Sequence, residues 1–184
     1  MECDTLKSWW HKQTVIEYQK HEMTLKQDDL VRRISEAFGN KPPPRVEDIV
    51  ELRGDIHERT EIRRIFGGKR WSELDHVTIE GNYDFLSFFS PIGCHYYLPA
   101  YMCAALNAEK DSILRFTVVF HLVPPRRSAS ENAKSCFEEG LKLFSPEERE
   151  VVCQYLGYFG GLDPKDLVGR TSRVALRLFW GKWH

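Results

Sequence analysis

Two stretches of this sequence place groups that could do chemistry within reach of one another. In Cys94-His95-Tyr96-Tyr97, with Tyr101 and Cys103 close behind, a thiolate activated by an imidazole would be a nucleophile and the phenols could hold a substrate. In His57-Glu58-Arg59-Thr60-Glu61, an imidazole and a carboxylate stand one helical turn apart, a spacing that suits a metal pair. Neither stretch is completed by its surroundings. Adjacent helical residues point in different directions, no orienting Asn or Asp stands in a recognisable place, and no third metal ligand is in view. The simpler readings are a buried aromatic core for the first and a solvent-facing helix, salt-bridged through Arg59, Arg63 and Arg64, for the second. No metal and no cofactor is expected, and a catalytic pocket around His95, Tyr97 and Tyr101, with Glu58, is the alternative.

Two charged surfaces could instead bind a partner. Glu47, Asp48, Glu51, Asp55, Glu58 and Glu61 form an acidic series of the kind that docks basic proteins, although Arg53, Arg59, Arg63 and Arg64 offset much of its charge. Near the C-terminus Arg170, Arg173, Arg177 and Lys182 lie beside Phe179, Trp180 and Trp183, a basic and aromatic mixture that could contact nucleic acid or membrane headgroups. A terminal helix packed on the core, its guanidinium groups in water, explains the same residues.

The elements that must position these groups are marked by helix-start chemistry. Ser145-Pro146-Glu147-Glu148 is a capping box with proline in the first turn; it opens a helix carrying Val151, Val152, Tyr155, Leu156 and Phe159 and closing at Gly160-Gly161. Asp163-Pro164-Lys165-Asp166 opens a last helix with Leu167, Val174, Leu178 and Trp180 along one side. Ser90-Pro91 starts a helix towards Asn107, in which Pro99 predicts a bend or break. Asp28-Asp29 starts another, ended by Gly39-Asn40. Residues 4–22 suggest a further helix, Lys41-Pro42-Pro43-Pro44-Arg45 is an extended linker, and two short amphipathic pieces follow at 46–52 and 56–66 before Gly67-Gly68. Residues 113–123 are β-branched and aromatic and stay open between strand and helix, leaning to helix; 124–132 read as an exposed basic loop.

Composition bounds the rest. The chain has 184 residues, 42% hydrophobic and 29% charged, which suits one compact domain. A net charge of −1 supplies no global field for nucleic acid or an anionic membrane. Prolines 91 and 99 interrupt the longest apolar run, so no membrane span is expected, and the polar N-terminus points to the cytoplasm. Five scattered cysteines without a Cys-x-x-Cys suggest neither a disulfide framework nor a zinc ribbon. The expected architecture is mainly α, an N-terminal helical segment over 1–40 joined to a helical core over 41–184 in a single domain, with at most a short strand or hairpin at 113–123.

The run Ile62 to Leu74 with its Gly-Gly-Lys-Arg-Trp, then Tyr97-Leu98-Pro99-Ala100-Tyr101, then Phe144-Ser145-Pro146-Glu147-Glu148 with Cys153-Gln154-Tyr155-Leu156, resembles the family of unknown function DUF6714 over residues 29–160. That resemblance implies a mainly helical, small cytoplasmic bacterial protein with no known activity, a setting compatible with immunity or antitoxin roles. The function expected on these grounds is that of a non-enzymatic interaction protein, an inhibitor that occludes a toxin by surface complementarity. Binding of nucleic acid through the C-terminal helix is the remaining alternative.

Overall fold

The computed structural model describes residues 26–39, 41–51, 55–162 and 165–183, with 132 and 183 described by backbone alone. The helix expected at 4–22 lies outside these residues, as do Asp163 and Pro164. Among the described residues there are eight α-helices and no strand: α1 (26–38), α2 (Ile56–Phe66), α3 (His76–Gly81), α4 (Pro91–Asn107), α5 (Ile113–His121), α6 (Glu131–Leu143), α7 (Pro146–Gly160) and α8 (Leu167–Leu178). Short 3-10 turns lie at Val46–Asp48, Trp71–Glu73, Tyr83–Ser87 and Trp180–Trp183.

The helix at the centre is α4. Its sequence has no charged residue and no polar side, so it can be stable in water only if covered all round. Residues Tyr96 to Met102 are all buried, as are Ala104, Ala105 and Leu106. Ser90 caps it through the Gly93 amide at 3.0 Å, with Pro91 in the first turn. The helix runs on through Pro99 to Asn107, so the expected break does not occur. At its other end Arg115 donates to the carbonyls of Ala105, at 3.2 Å, and Ala108, covering carbonyls that have no helical partner.

Around α4 the other elements close by their apolar sides. Leu30, Ile34 and Phe38 of α1, Ile62 and Phe66 of α2, and Val152, Tyr155, Leu156 and Phe159 of α7 join α4 in one core cluster. Asp29 does not open α1, since the helix is already under way at residue 26; its carboxylate instead pairs with Arg32 and, at 2.8 Å, with Arg33. Gly39 ends α1 at φ 60°, the left-handed conformation for which a residue without Cβ is suited. Helix α7 stops at Gly160–Gly161 by other means. Gly161 has φ −81°, and the Gly160 carbonyl is taken at 2.7 Å by the guanidinium of Arg173.

Residues 113–121 form helix α5, opened by Ser112 through the Leu114 amide at 3.3 Å. The loop expected over 124–132 is shorter, because Ser130 caps a helix the sequence reading did not separate: α6 begins at Glu131. In α8 the cap is Asp166, accepting from the Gly169 amide at 3.1 Å. Its buried side is Val168, Gly169, Ser172 and Ala175, whereas Leu167 and Leu178, which share another side, are 52% and 58% exposed. Trp180 does enter the core, its indole donating to the Leu122 carbonyl at 2.7 Å.

The closest backbone approach is at Gly93, where residues 49–51 cross the start of α4 and Val50 bridges Phe89. A Cβ at Gly93 would stand 2.2 Å from the Ile49 carbonyl oxygen, while a Cβ at Gly157 in α7 would meet nothing within 4 Å. Gly93→Ala is therefore expected to destabilise by about 1–3 kcal/mol through overpacking. Gly157→Ala is expected to stabilise by about 0.5–1 kcal/mol through the unfolded chain's lost freedom. Urea denaturation of the two variants measures both signs.

Candidate functional site

The aromatic stretch that opened the sequence reading divides between core and surface. Tyr97 and Tyr101 are fully buried, their hydroxyls donating to the Phe66 carbonyl at 2.6 Å and the Asn82 carbonyl at 2.8 Å. Burial pushes both phenols far above the ordinary tyrosine range, so neither ionises at neutral pH. Burial likewise pushes the Cys94 and Cys103 thiols up to about 12, the opposite of what activates a nucleophile. The phenols thus spend their polar atoms on backbone, and the structure does not bring them to a common pocket with His95.

His95 turns the other way. Its Nε2 lies 2.9 Å from Oε2 of Glu148, its ring packs edge-on against Phe144 at 4.9 Å, and it lines an open groove. Glu148 has a solvent exposure of 0%, and its oxygens also accept from the Lys41 ammonium at 2.7 Å and the Ser145 amide at 2.8 Å. Burial by itself would raise the carboxyl; the hydrogen bonds from His95, Lys41 and the Ser145 backbone outweigh it and hold the group down at about 2. The sequence showed Glu148 as the partner of Ser145 in a capping box, which the structure has, but nothing in the spacing announced His95 or Lys41.

The groove has a volume of about 1270 Å³. Helix α6 packs on α4, helix α8 packs on α5 and α7, and the groove lies between α6 and α8. Ala133, Phe137, Gly140 and Leu141 form one wall; Leu167, Thr171, Val174 and Leu178 form the other. Leu98, Phe116 and Leu122 lie deeper, and Phe120, 57% exposed, stands at the lip. The loop carrying Pro124, Pro125, Arg126 and Arg127 borders it. These positions are scattered over 80 residues, and their joint role has no signature in the sequence.

Several residues of the acidic series are engaged within their own elements. Glu47 and Asp48 both pair with Arg45, at 3.7 and 2.8 Å; Asp55 caps α2 through the His57 amide at 2.7 Å; Glu61 pairs with Arg64 at 2.7 Å. Glu58 is half-buried on α2, and Glu51 lines the groove, accepting from the Cys136 thiol at 3.2 Å. His57 and Glu61 share α2, but among the described residues no three His, Cys, Asp or Glu side chains gather as a metal site would need. Of the basic residues near the C-terminus, Arg173 holds the end of α7, Lys182 lies 4.1 Å from the centre of the Phe179 ring, and Arg170 and Arg177 are exposed. Among the described residues no helix is long and apolar enough to cross a membrane.

The sequence pattern of the family of unknown function DUF6714 matches residues 26–183, every described element from α1 to the final turn. The chain belongs to DUF6714. No curated protein and no solved structure matches it. The DUF6714 match reaches beyond the 29–160 read from motifs and takes in α8, so both walls of the groove belong to the family's common part.

The Glu148 tie yields an acid signature. A carboxyl with a folded value of about 2 against an ordinary 4.5 stabilises the fold fully above pH 4.5, and loses that contribution as pH falls towards 2. The shift corresponds to about 3 kcal/mol. Glu148→Gln is expected to be destabilised relative to the natural chain at pH 6, with the gap closing as pH falls from 4.5 to about 2. Denaturation midpoints of both chains across pH 2–6 check this; a gap that stays constant with pH contradicts it.

Proposed function

We propose that this chain is a non-enzymatic protein-interaction protein that receives an element of its partner in the groove between α6 and α8. The observation that carries the reading is the gathering of Phe120, Leu167 and Leu178, each more than half exposed, around one apolar trough. Contiguous apolar surface of this kind marks a place where another surface is buried. Aromatic and aliphatic anchors seated in such a trough are the contacts that carry most binding energy.

Inhibition of a toxin by occlusion is the form of this function that we favour, with the groove as the surface that recognises it. The acids between residues 47 and 61 suit docking less well, because Asp48, Asp55 and Glu61 are engaged within their own elements. Catalysis is the second reading, favoured by one observation: the His95 imidazole is held by a buried carboxylate and borders the groove, the arrangement of an acid–base group. Loss of a turnover in His95→Gln, with the fold retained, would support that reading.

The test places a photo-crosslinking amino acid at Thr171 of the full chain in its native host, identifies the captured protein, and measures the purified pair by calorimetry. Phe120→Glu and Leu178→Glu alter exposed positions and are expected to leave the melting temperature within about 2 °C while weakening the pair at least tenfold, about 1.4 kcal/mol. Affinity untouched by both, or weakened instead by Asp48→Lys and Glu61→Lys, overturns the groove as the recognition surface.

A further inference from the structure

The exposed stripe on α8 has a length, a spacing and a charged border that together describe what would cover it. Leu167, Thr171, Val174 and Leu178 recur at intervals of four, three and four residues, the pattern one helix offers to another. From Leu167 to Leu178 that stripe runs for about 16 Å at the rise of an α-helix, three turns. Across the trough, Ala133, Phe137 and Gly140 of α6 stand four and three residues apart, with Leu141 beside them, and the two small residues let a backbone come close. The volume of about 1270 Å³ exceeds the roughly 300–1,000 Å³ of ordinary small-ligand pockets. A trough walled by two helices, with a helix-spaced stripe on each wall, is shaped for a third helix.

Charge says what kind of helix. Arg126 and Arg127 border the groove, and Arg170 and Arg177 stand on the outer lip of α8, about 80° round the helix from the stripe and away from its buried side. All four are exposed, and among the described residues none lies within ion-pair distance of a carboxylate. On the opposite wall Glu131 pairs with Lys134, Glu139 accepts from Ser135 and Glu51 from Cys136, while Glu138 is exposed; none of these four lies within ion-pair distance of the arginines. In a chain of net charge −1 this is a local basic margin along an apolar trough.

Resting on the groove reading above, we propose that the partner element is an amphipathic α-helix of about three turns. Its apolar face enters the trough, and acidic residues on its flank meet Arg126, Arg127, Arg170 and Arg177. Helix-in-groove recognition of this kind is read through anchors at i, i+3 or i+4 and i+7. The arginine margin adds register, and it steers encounter in a way that salt weakens.

The test is selection against the full chain from a displayed library of 16-residue helical peptides. Anchor positions are drawn from Leu, Ile, Val and Phe, and flanking positions from Glu, Gln and Lys. Expected is enrichment of Glu over Lys at the flanks by at least threefold, absent when Leu178→Glu is the target and reversed towards Lys when Arg170→Glu/Arg177→Glu is the target. Melting curves confirm that both variants fold. Enrichment of apolar anchors with no flank preference, sensitive to Leu178→Glu, overturns the acidic helix and leaves the groove reading standing. No enrichment, or enrichment that Leu178→Glu does not touch, overturns the helix outright. So does occupation of the groove by something else: a dimer in sedimentation that Leu178→Glu dissociates, displacement of bound peptides by a synthetic peptide of residues 1–25, or displacement by laurate.

Discussion

A carboxylate with no access to water sets the terms for much of this structure. Glu148 accepts at once from the amide that starts its own helix, from His95 of α4 and from Lys41 in the proline-rich connection after α1. A buried ion is tolerated only when its lone pairs are met, so these three partners cannot drift independently. The start of α7, the first half of α4 and the end of α1 are therefore fixed relative to one another. Phe38 and Phe144 pack edge to face with each other, and both lie against the His95 ring beside this tie.

From that point outward the structure separates what is buried from what recognises. Helix α4 has too few polar atoms to face water, and those it has are spent: its phenols on carbonyls, its last carbonyls on Arg115 of α5. The residues most suggestive of chemistry in one dimension are the scaffold in three. What α4 does not cover is the space between α6 and α8, and there Phe120, Leu167 and Leu178 remain in water. Such exposure costs solubility unless a partner removes it.

Local chemistry was legible in the sequence, and long-range chemistry was not. Ser90 and Ser145 could be read as caps because a cap and its amide are three residues apart. Ser130 is less legible as a cap, because the prolines and arginines before it read as continuing loop, and α6 has only Phe137 and Leu141 as larger partly buried residues to mark an inner side. The segment at 113–121 was ambiguous because β-branched residues suit strands; its Ser112 cap and the docking of Arg115 under α4 decide for helix. In α8 two stripes compete. The larger residues mark the side left open, while the core side is made of Val168, Gly169, Ser172 and Ala175, small enough for α7 to approach closely. The groove draws on α4, α5, α6, α8 and a loop, and no spacing rule joins residues so far apart along the chain.

The account turns on α4 being closed and the α6–α8 trough being open, which hydroxyl-radical footprinting of the full chain reads directly. Phe120, Leu167 and Leu178 are expected to oxidise at rates typical of exposed side chains, while Tyr97, Tyr101 and Tyr155 are protected until the chain unfolds. Fast oxidation of Tyr97 and Tyr101 in the folded chain, or protection of the three groove residues in the isolated protein, would contradict it.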